Sequence, residues 1–363
     1  MAIQTNITFR LAVTISIGAI GGWIMSLAHI PLAWMLGAMI ATSIVALSGG
    51  NLLIPMKLRA VMLAVLGVML GSSFTPAVVE RLGDWVNTLS AMTIFAFCVP
   101  AIGYFGLKKF FLFDRPTAFF SAVPGGLTNM VITGGAMGGD DRTIALIHSI
   151  RIMLTVLIIP LWFRIMEGTT SINASDISAT LIDLGVKDVF ILSFVGVAGF
   201  FTAKILRIPA YPLVGPMIAS AAIHLAGMTS AKPPIELVNL AQIVVGSSIG
   251  CRFIGTSIRK VPRTLICGIL TGLFMLGAAA LAAFLLAPYT DASFTALWLA
   301  FAPGGLPEMA LMSIALGVDP AFVSSHHLYR VLLLVILAPI FYTFLEHWVK
   351  RKSSVVNSDD LTD

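Results

Sequence analysis

Between Thr264 and Ala287 the chain carries no charged residue, and the same holds from Leu11 to Ala28, Ser90 to Leu107 and Val331 to Leu345. Each run is long enough, or nearly so, to cross a hydrocarbon core of about 30 Å as a helix. A membrane barrel would alternate polar and apolar residues along short strands, and that period is absent. Hydrophobic residues make up 58% of the chain and charged residues 11%, a balance that calls for lipid rather than a soluble core. Because the apolar runs recur to the end, the first does not read as a cleavable signal ahead of a soluble body.

Several function classes fall away at this point. Cys98, Cys251 and Cys267 lie in or beside apolar segments without metal-ligand spacing, so they read as packing residues. There is no P-loop, dinucleotide fingerprint or HExxH motif. The chain is therefore not read as an enzyme, and no cofactor is implied.

Comparing the chain with itself exposes a duplication. Pro31 and Gly37 match Pro209 and Gly215; Gly71 and Phe74 match Gly250 and Phe253. Pro124, Gly125, Gly126, Leu127 and Met130 match Pro303, Gly304, Gly305, Leu306 and Met309. Gly138, Asp140, His148, Arg151 and Pro160 then match Gly317, Asp319, His327, Arg330 and Pro339. Shared hydrophobicity would align Leu with Ile; it would not align prolines, histidines and arginines at one offset.

Basic loops decide the expected topology. Lys57, Arg59, Lys108, Lys109 and Arg115 suit a cytoplasmic location in the first half, and Lys204, Arg207, Arg252, Arg259, Lys260 and Arg263 in the second. Both sets face the cytoplasm if the PGG element of each half enters and leaves on one side. The expectation is an all-α polytopic membrane protein with two inverted structural repeats, about ten transmembrane helices and two re-entrant hairpins. The repeats are placed at 1–166 and 185–350, joined by a periplasmic linker at 167–184 and followed by a disordered cytoplasmic tail at 351–363. Both termini are then cytoplasmic, in an inner membrane. Gly277, Ala278, Ala279 and Ala280 read as a close helix contact.

Paired helix breaks near the bilayer midplane are where transport sites are found. The candidate substrate- or ion-binding residues are Gly125, Gly126, Asn129, Gly304, Gly305 and Glu308 at the breaks, and His148, Arg151, His327 and Arg330 on the helices that follow. His and Arg three apart share a helix face. Their arginines either bind an anion or compensate Glu308 as it gains and loses a proton, or hold structure through Asp140, Asp319 or hairpin carbonyls. Asn129 and Glu308 either bond neighbouring backbone or serve function, and a carboxylate at membrane depth makes Glu308 a functional candidate; Na+ near Asn129 and Glu308, or H+, would be the coupling ion.

VPGGLTNM at 123–130 with HSIR at 148–151, and APGGLPEM at 302–309 with HLYR at 327–330, resemble the duplicated Gram-negative AbrB family of membrane proteins. Its members are labelled ammonia monooxygenase or AbrB family transcriptional regulator, and the resemblance covers essentially the whole chain. It implies an association with regulation of gene expression. The sequence shows no helix-turn-helix or basic soluble domain, so direct nucleic-acid binding is not expected. Nor does it show the histidine and carboxylate cluster of a metal oxygenase. The reading that results is a secondary active transporter of a small anionic solute, coupled to Na+ or H+. The alternative is a membrane sensor or regulator that does not transport. Its partners would be the bilayer and the solute, with a homo-oligomer left open.

Overall fold

The structure, a computed structural model, describes residues 7–167, 184–256 and 262–359, and every regular element in it is helical. The first half runs α1 (Ile7–Leu27), α2 (Ala33–Leu47), α3 (Met56–Gly71), α4 (Pro76–Glu80), α5 (Trp85–Phe111), α6 (Arg115–Ala122), α7 (Leu127–Ala136) and α8 (Asp141–Glu167). The second runs α9 (Val186–Ile205), α10 (Tyr211–Leu225), α11 (Ile235–Gly250), α12 (Pro262–Leu286), α13 (Phe294–Phe301), α14 (Leu306–Ala315) and α15 (Pro320–Asp359). The linker read at 167–184 lies outside the described residues apart from its two ends, as do Arg259 and Lys260. The stretch read as a disordered tail is helical as far as Asp359.

Six described stretches are long and apolar enough to cross a membrane: Ile7–Leu27, Pro76–Phe111, Asp141–Met166, Val186–Ile205, Pro262–Tyr289 and Pro320–His347. This corrects the expectation of about ten transmembrane helices with two re-entrant hairpins in inverted repeats. The physical reason is length. Helices α2 and α10 have 15 residues each, and α3 and α11 have 16. At about 1.5 Å per residue they reach roughly 22–24 Å, short of a core about 30 Å thick.

Local sequence sets those lengths. Leu32 and Ala210, both in the left-handed region, precede α2 and α10, while positive-φ Gly49 and Gly227 follow their ends. Pro55 and Pro234 stand just ahead of α3 and α11 and fix where they begin. The PGG segments interrupt the chain between α6 and α7 and between α13 and α14. Pro124 cannot donate a helical hydrogen bond, and Gly126 adopts φ 88°.

Small residues bring the short helices together. A methyl group at Gly37 of α2 would overlap the Gly21 carbonyl of α1, and one at Gly215 of α10 would overlap the Gly199 carbonyl of α9. The pattern is reciprocal across the molecule: Gly67 of α3 lies against the Leu213 carbonyl of α10, and Gly246 of α11 against the Met35 carbonyl of α2. In lipid, where apolar burial supplies little drive between helices, such backbone approach supplies the packing. Gly277 has open space around its Cα, which corrects its reading as a helix contact. Apolar side chains point outward on the peripheral helices: Phe190, Phe194 and Phe201 of α9 are all more than half exposed and follow helical spacing. The broken helix α13 and its successor α14 are, by contrast, the most thoroughly buried elements.

These contacts generate a graded expectation. In detergent, Gly37→Ala and Gly215→Ala lower the thermal unfolding temperature, because the obstructing atoms are backbone and cannot step aside. Gly277→Ala leaves it unchanged or raises it, as an open helical glycine is destabilising by roughly 0.5–1 kcal/mol relative to alanine. Equal unfolding temperatures for the three variants would contradict the packing.

Candidate functional site

The polar centre of the molecule is built by the helices that follow each break. Asp140 and Asp319 start them: Asp140 accepts from the Arg142 amide at 3.1 Å and from the Thr143 hydroxyl, and Asp319 accepts from the Ala321 amide at 2.8 Å. Neither aspartate is the partner of a buried arginine. Two turns further on, His148 and Arg151 on α8, and His327 and Arg330 on α15, are buried.

Arg330 is almost fully engaged by its own chain. Its Nη1 donates to the carbonyls of Phe301 at 3.0 Å and Ala302 at 2.8 Å; its Nη2 donates to the Gly304 carbonyl at 3.4 Å and to His327 Nδ1 at 3.0 Å. A guanidinium can only donate, so His327 Nδ1 accepts and the ring carries its proton on Nε2, which donates to the Leu299 carbonyl at 2.8 Å. The pair thereby satisfies carbonyls left free where α13 stops.

The matching pair on α8 repeats half of this arrangement. His148 Nε2 donates to the Phe120 carbonyl at 2.8 Å, and Arg151 Nη2 donates to His148 Nδ1 at 2.9 Å. Here, however, Nη1 meets only the Met275 thioether at 3.9 Å. Both PGG breaks also meet α15: Gly125 and Gly126 lie against Leu334 and Val331, next to the turn from which Arg330 reaches Gly304. Asn129 and Glu308 hold equivalent places in α7 and α14 but differ in surroundings. Asn129 is half-buried, whereas Glu308 is buried. Gly305 leaves the space that the Glu308 carboxylate fills, and Glu308 Oε2 has no hydrogen-bond partner among the described residues.

Beside the first break lies a cavity of about 440 Å³ whose cationic lining comes from Arg59 of α3, Arg142 of α8 and Arg252 in the 3-10 turn Cys251–Phe253. Arg59 Nε donates to Ser248 Oγ at 3.0 Å, and Arg142 Nη2 donates to the Gly255 carbonyl at 2.7 Å. Burial brings the Arg252 pKa down to about 10, with neighbouring Arg59 acting the same way and Glu308 opposing. Burial also lowers that of Arg59 against the pull of Glu308. Arg252 keeps its charge at neutral pH. The sequence reading placed Arg59 and Arg252 among topogenic loop charges. Comparing the chain with itself could not flag them, because the matching positions are Val238 and Ser73. The one available signal was an arginine a single turn inside an apolar helix.

These features define a multi-pass α-helical membrane protein in which a buried histidine ties each broken helix pair to the long helix behind it, joined at the second break by an arginine. The chain belongs to the AbrB family: the family model described as "Transition state regulatory protein AbrB" matches residues 34–346. It is 29% identical to "Uncharacterized protein YhjN" of Bacillus subtilis (strain 168), over 95% of this chain and 96% of that one. It is 23% identical to "Putative regulator AbrB" of Escherichia coli (strain K12), over 90% and 93%.

Membership corrects two expectations. The transporter reading gives way, since the family is described as regulatory. Among the described residues Arg330 Nη1 and Nη2 are engaged by the chain itself while Nε has no partner, and no group of three or more His, Cys, Asp or Glu is placed to hold a metal ion. The exclusion of nucleic acid from the partners falls with it, because a regulatory family brings gene control back into view.

The clamps differ enough to be told apart. Arg330→Gln leaves buried carbonyls of Phe301 and Ala302 without donors, at about 1–3 kcal/mol each. Arg151→Gln gives up a thioether and one imidazole. Thermal unfolding in detergent therefore places Arg330→Gln well below Arg151→Gln; the reverse order would show that the carbonyl contacts are not what holds the break.

Proposed function

We propose that the protein is a membrane-embedded regulator that acts on gene expression, with both termini on the cytoplasmic side. Membership of a family described as regulatory, over residues 34–346, carries the reading. The kinship with a relative named "Putative regulator AbrB" along nearly the whole chain supports it. The clamps are consistent with a sensor's fixed frame, since hydrogen bonds tie the two breaks to α8 and α15 at five backbone carbonyls.

One end of the molecule gathers cationic side chains from segments distant in sequence. Arg10 donates to the carbonyls of Asn51 and Leu52, next to the start of α3, and Arg142 donates to Gly255 beyond Arg252. That end offers an acidic partner, nucleic acid included, the complementary charge.

The test is genetic. Deleting the gene shifts a defined set of transcripts, and re-expression of the wild-type chain restores them; indistinguishable transcript profiles through all growth phases would overturn the reading. Crosslinking of a tagged chain separates the routes: enriched DNA assigns direct contact, and a transcript response without DNA assigns a protein intermediary.

A further inference from the structure

Three guanidiniums border one cavity, and among the described residues none of its lining groups is acidic. Arg252 Nη1 is buried there with no hydrogen-bond partner among the described residues. Buried donors in folded proteins are nearly always paired, and a charged one left alone calls for an explanation. Arg59 and Arg252 are also close enough to repel each other. Glu308 acts on both from outside the lining, which leaves a net positive cavity.

A second feature converges on the same space. Helix α7 begins at Leu127 without a side-chain cap, its preceding residue being Gly126, and Leu127 and Thr128 line the cavity. The first amides of a helix lack intrahelical acceptors and carry the positive end of its dipole. The helix they open is ten residues long.

We propose that the cavity between Arg59, Arg142 and Arg252 is a binding site for a phosphate group, carried by a soluble phosphate compound or by a lipid headgroup. A planar carboxylate offers two oxygens, whereas a tetrahedral phosphate presents three or more to donors arriving from α3, α8, the 251–253 turn and the start of α7. The volume leaves room for part of the body that carries the phosphate, and Ile54, Met56 and Ile254 give that part apolar walls. Binding here is independent of the regulatory reading, because it is measured on the purified protein alone.

The test uses the full chain in neutral detergent, stripped of anionic lipid, with thermal unfolding and calorimetric titration as readouts. Inorganic phosphate and short-chain phosphatidylglycerol are compared with chloride at equal ionic strength and with short-chain phosphatidylcholine. Stabilisation by phosphate identifies a soluble source, and stabilisation by phosphatidylglycerol alone identifies a headgroup; both support the site. Arg252→Gln weakens binding by about tenfold or more, as truncating one member of a charged contact does. Thr128→Glu keeps the fold, since Thr128 is exposed and an acid suits a helix start, yet places a carboxylate at the cavity and abolishes binding. Arg263→Gln, whose guanidinium lies over the Phe113 ring instead, binds as wild type does. No stabilisation by either probe, or equal stabilisation of wild type, Arg252→Gln and Thr128→Glu, would overturn the proposal.

Discussion

A peptide chain that stops being helical inside an apolar layer exposes carbonyls that water cannot reach, and everything at the centre of this molecule answers that constraint. Arg330 supplies the answer for the second break, with four hydrogen bonds to Phe301, Ala302, Gly304 and His327. Holding a guanidinium at that depth is itself expensive, so charge and break stabilise one another: either alone would be untenable. The first break is served more thinly, by His148 on Phe120, and α7 keeps an exposed side that α14 lacks. Similar sequences thus produce one buried, heavily bonded break and one looser break that opens toward the arginine cavity.

Around that centre, glycine contacts fix how the short helices lie. Gly67 against Leu213 and Gly246 against Met35 bring α3 to α10 and α11 to α2, and the Ser220 hydroxyl adds a 2.7 Å bond to the Val68 carbonyl in the same seam. The arginine cavity depends on this seam, because Arg59 is positioned by Ser248 at the end of α11. Packing made of backbone contacts and charge placement made of side chains are therefore one structure.

The helical class, the positions of both breaks and the pairing of His148 with Arg151 and His327 with Arg330 were legible in the sequence, because proline, glycine and polar residues are conspicuous against an apolar background. The count of crossings was not. It required knowing that Gly49, Gly227 and the segments at Pro55 and Pro234 would clip four helices to 15 or 16 residues, and apolarity alone does not report where a helix stops. The carbonyl contacts of Arg330 were not legible in the sequence, since anion binding and a structural role demand the same residue. Arg59 and Arg252 were hidden for a different reason: charge-bias rules treat basic residues as markers of sidedness, and only the fold shows that these two turn inward.

The reciprocal seam also has a consequence for how the molecule is made. Its contacts join residues far apart in the chain; Arg59 and Ser248 are 189 positions apart, and Ser220 and Val68 are 152. Helices α2 and α3 leave the ribosome long before α10 and α11 exist, and at roughly 22–24 Å they are too short to rest across the bilayer unaided. Gly67 of the nascent first half has no partner until α10 is made, so closure of the seam is a late step of biosynthesis, during which the chain is open to chaperones and to proteolysis.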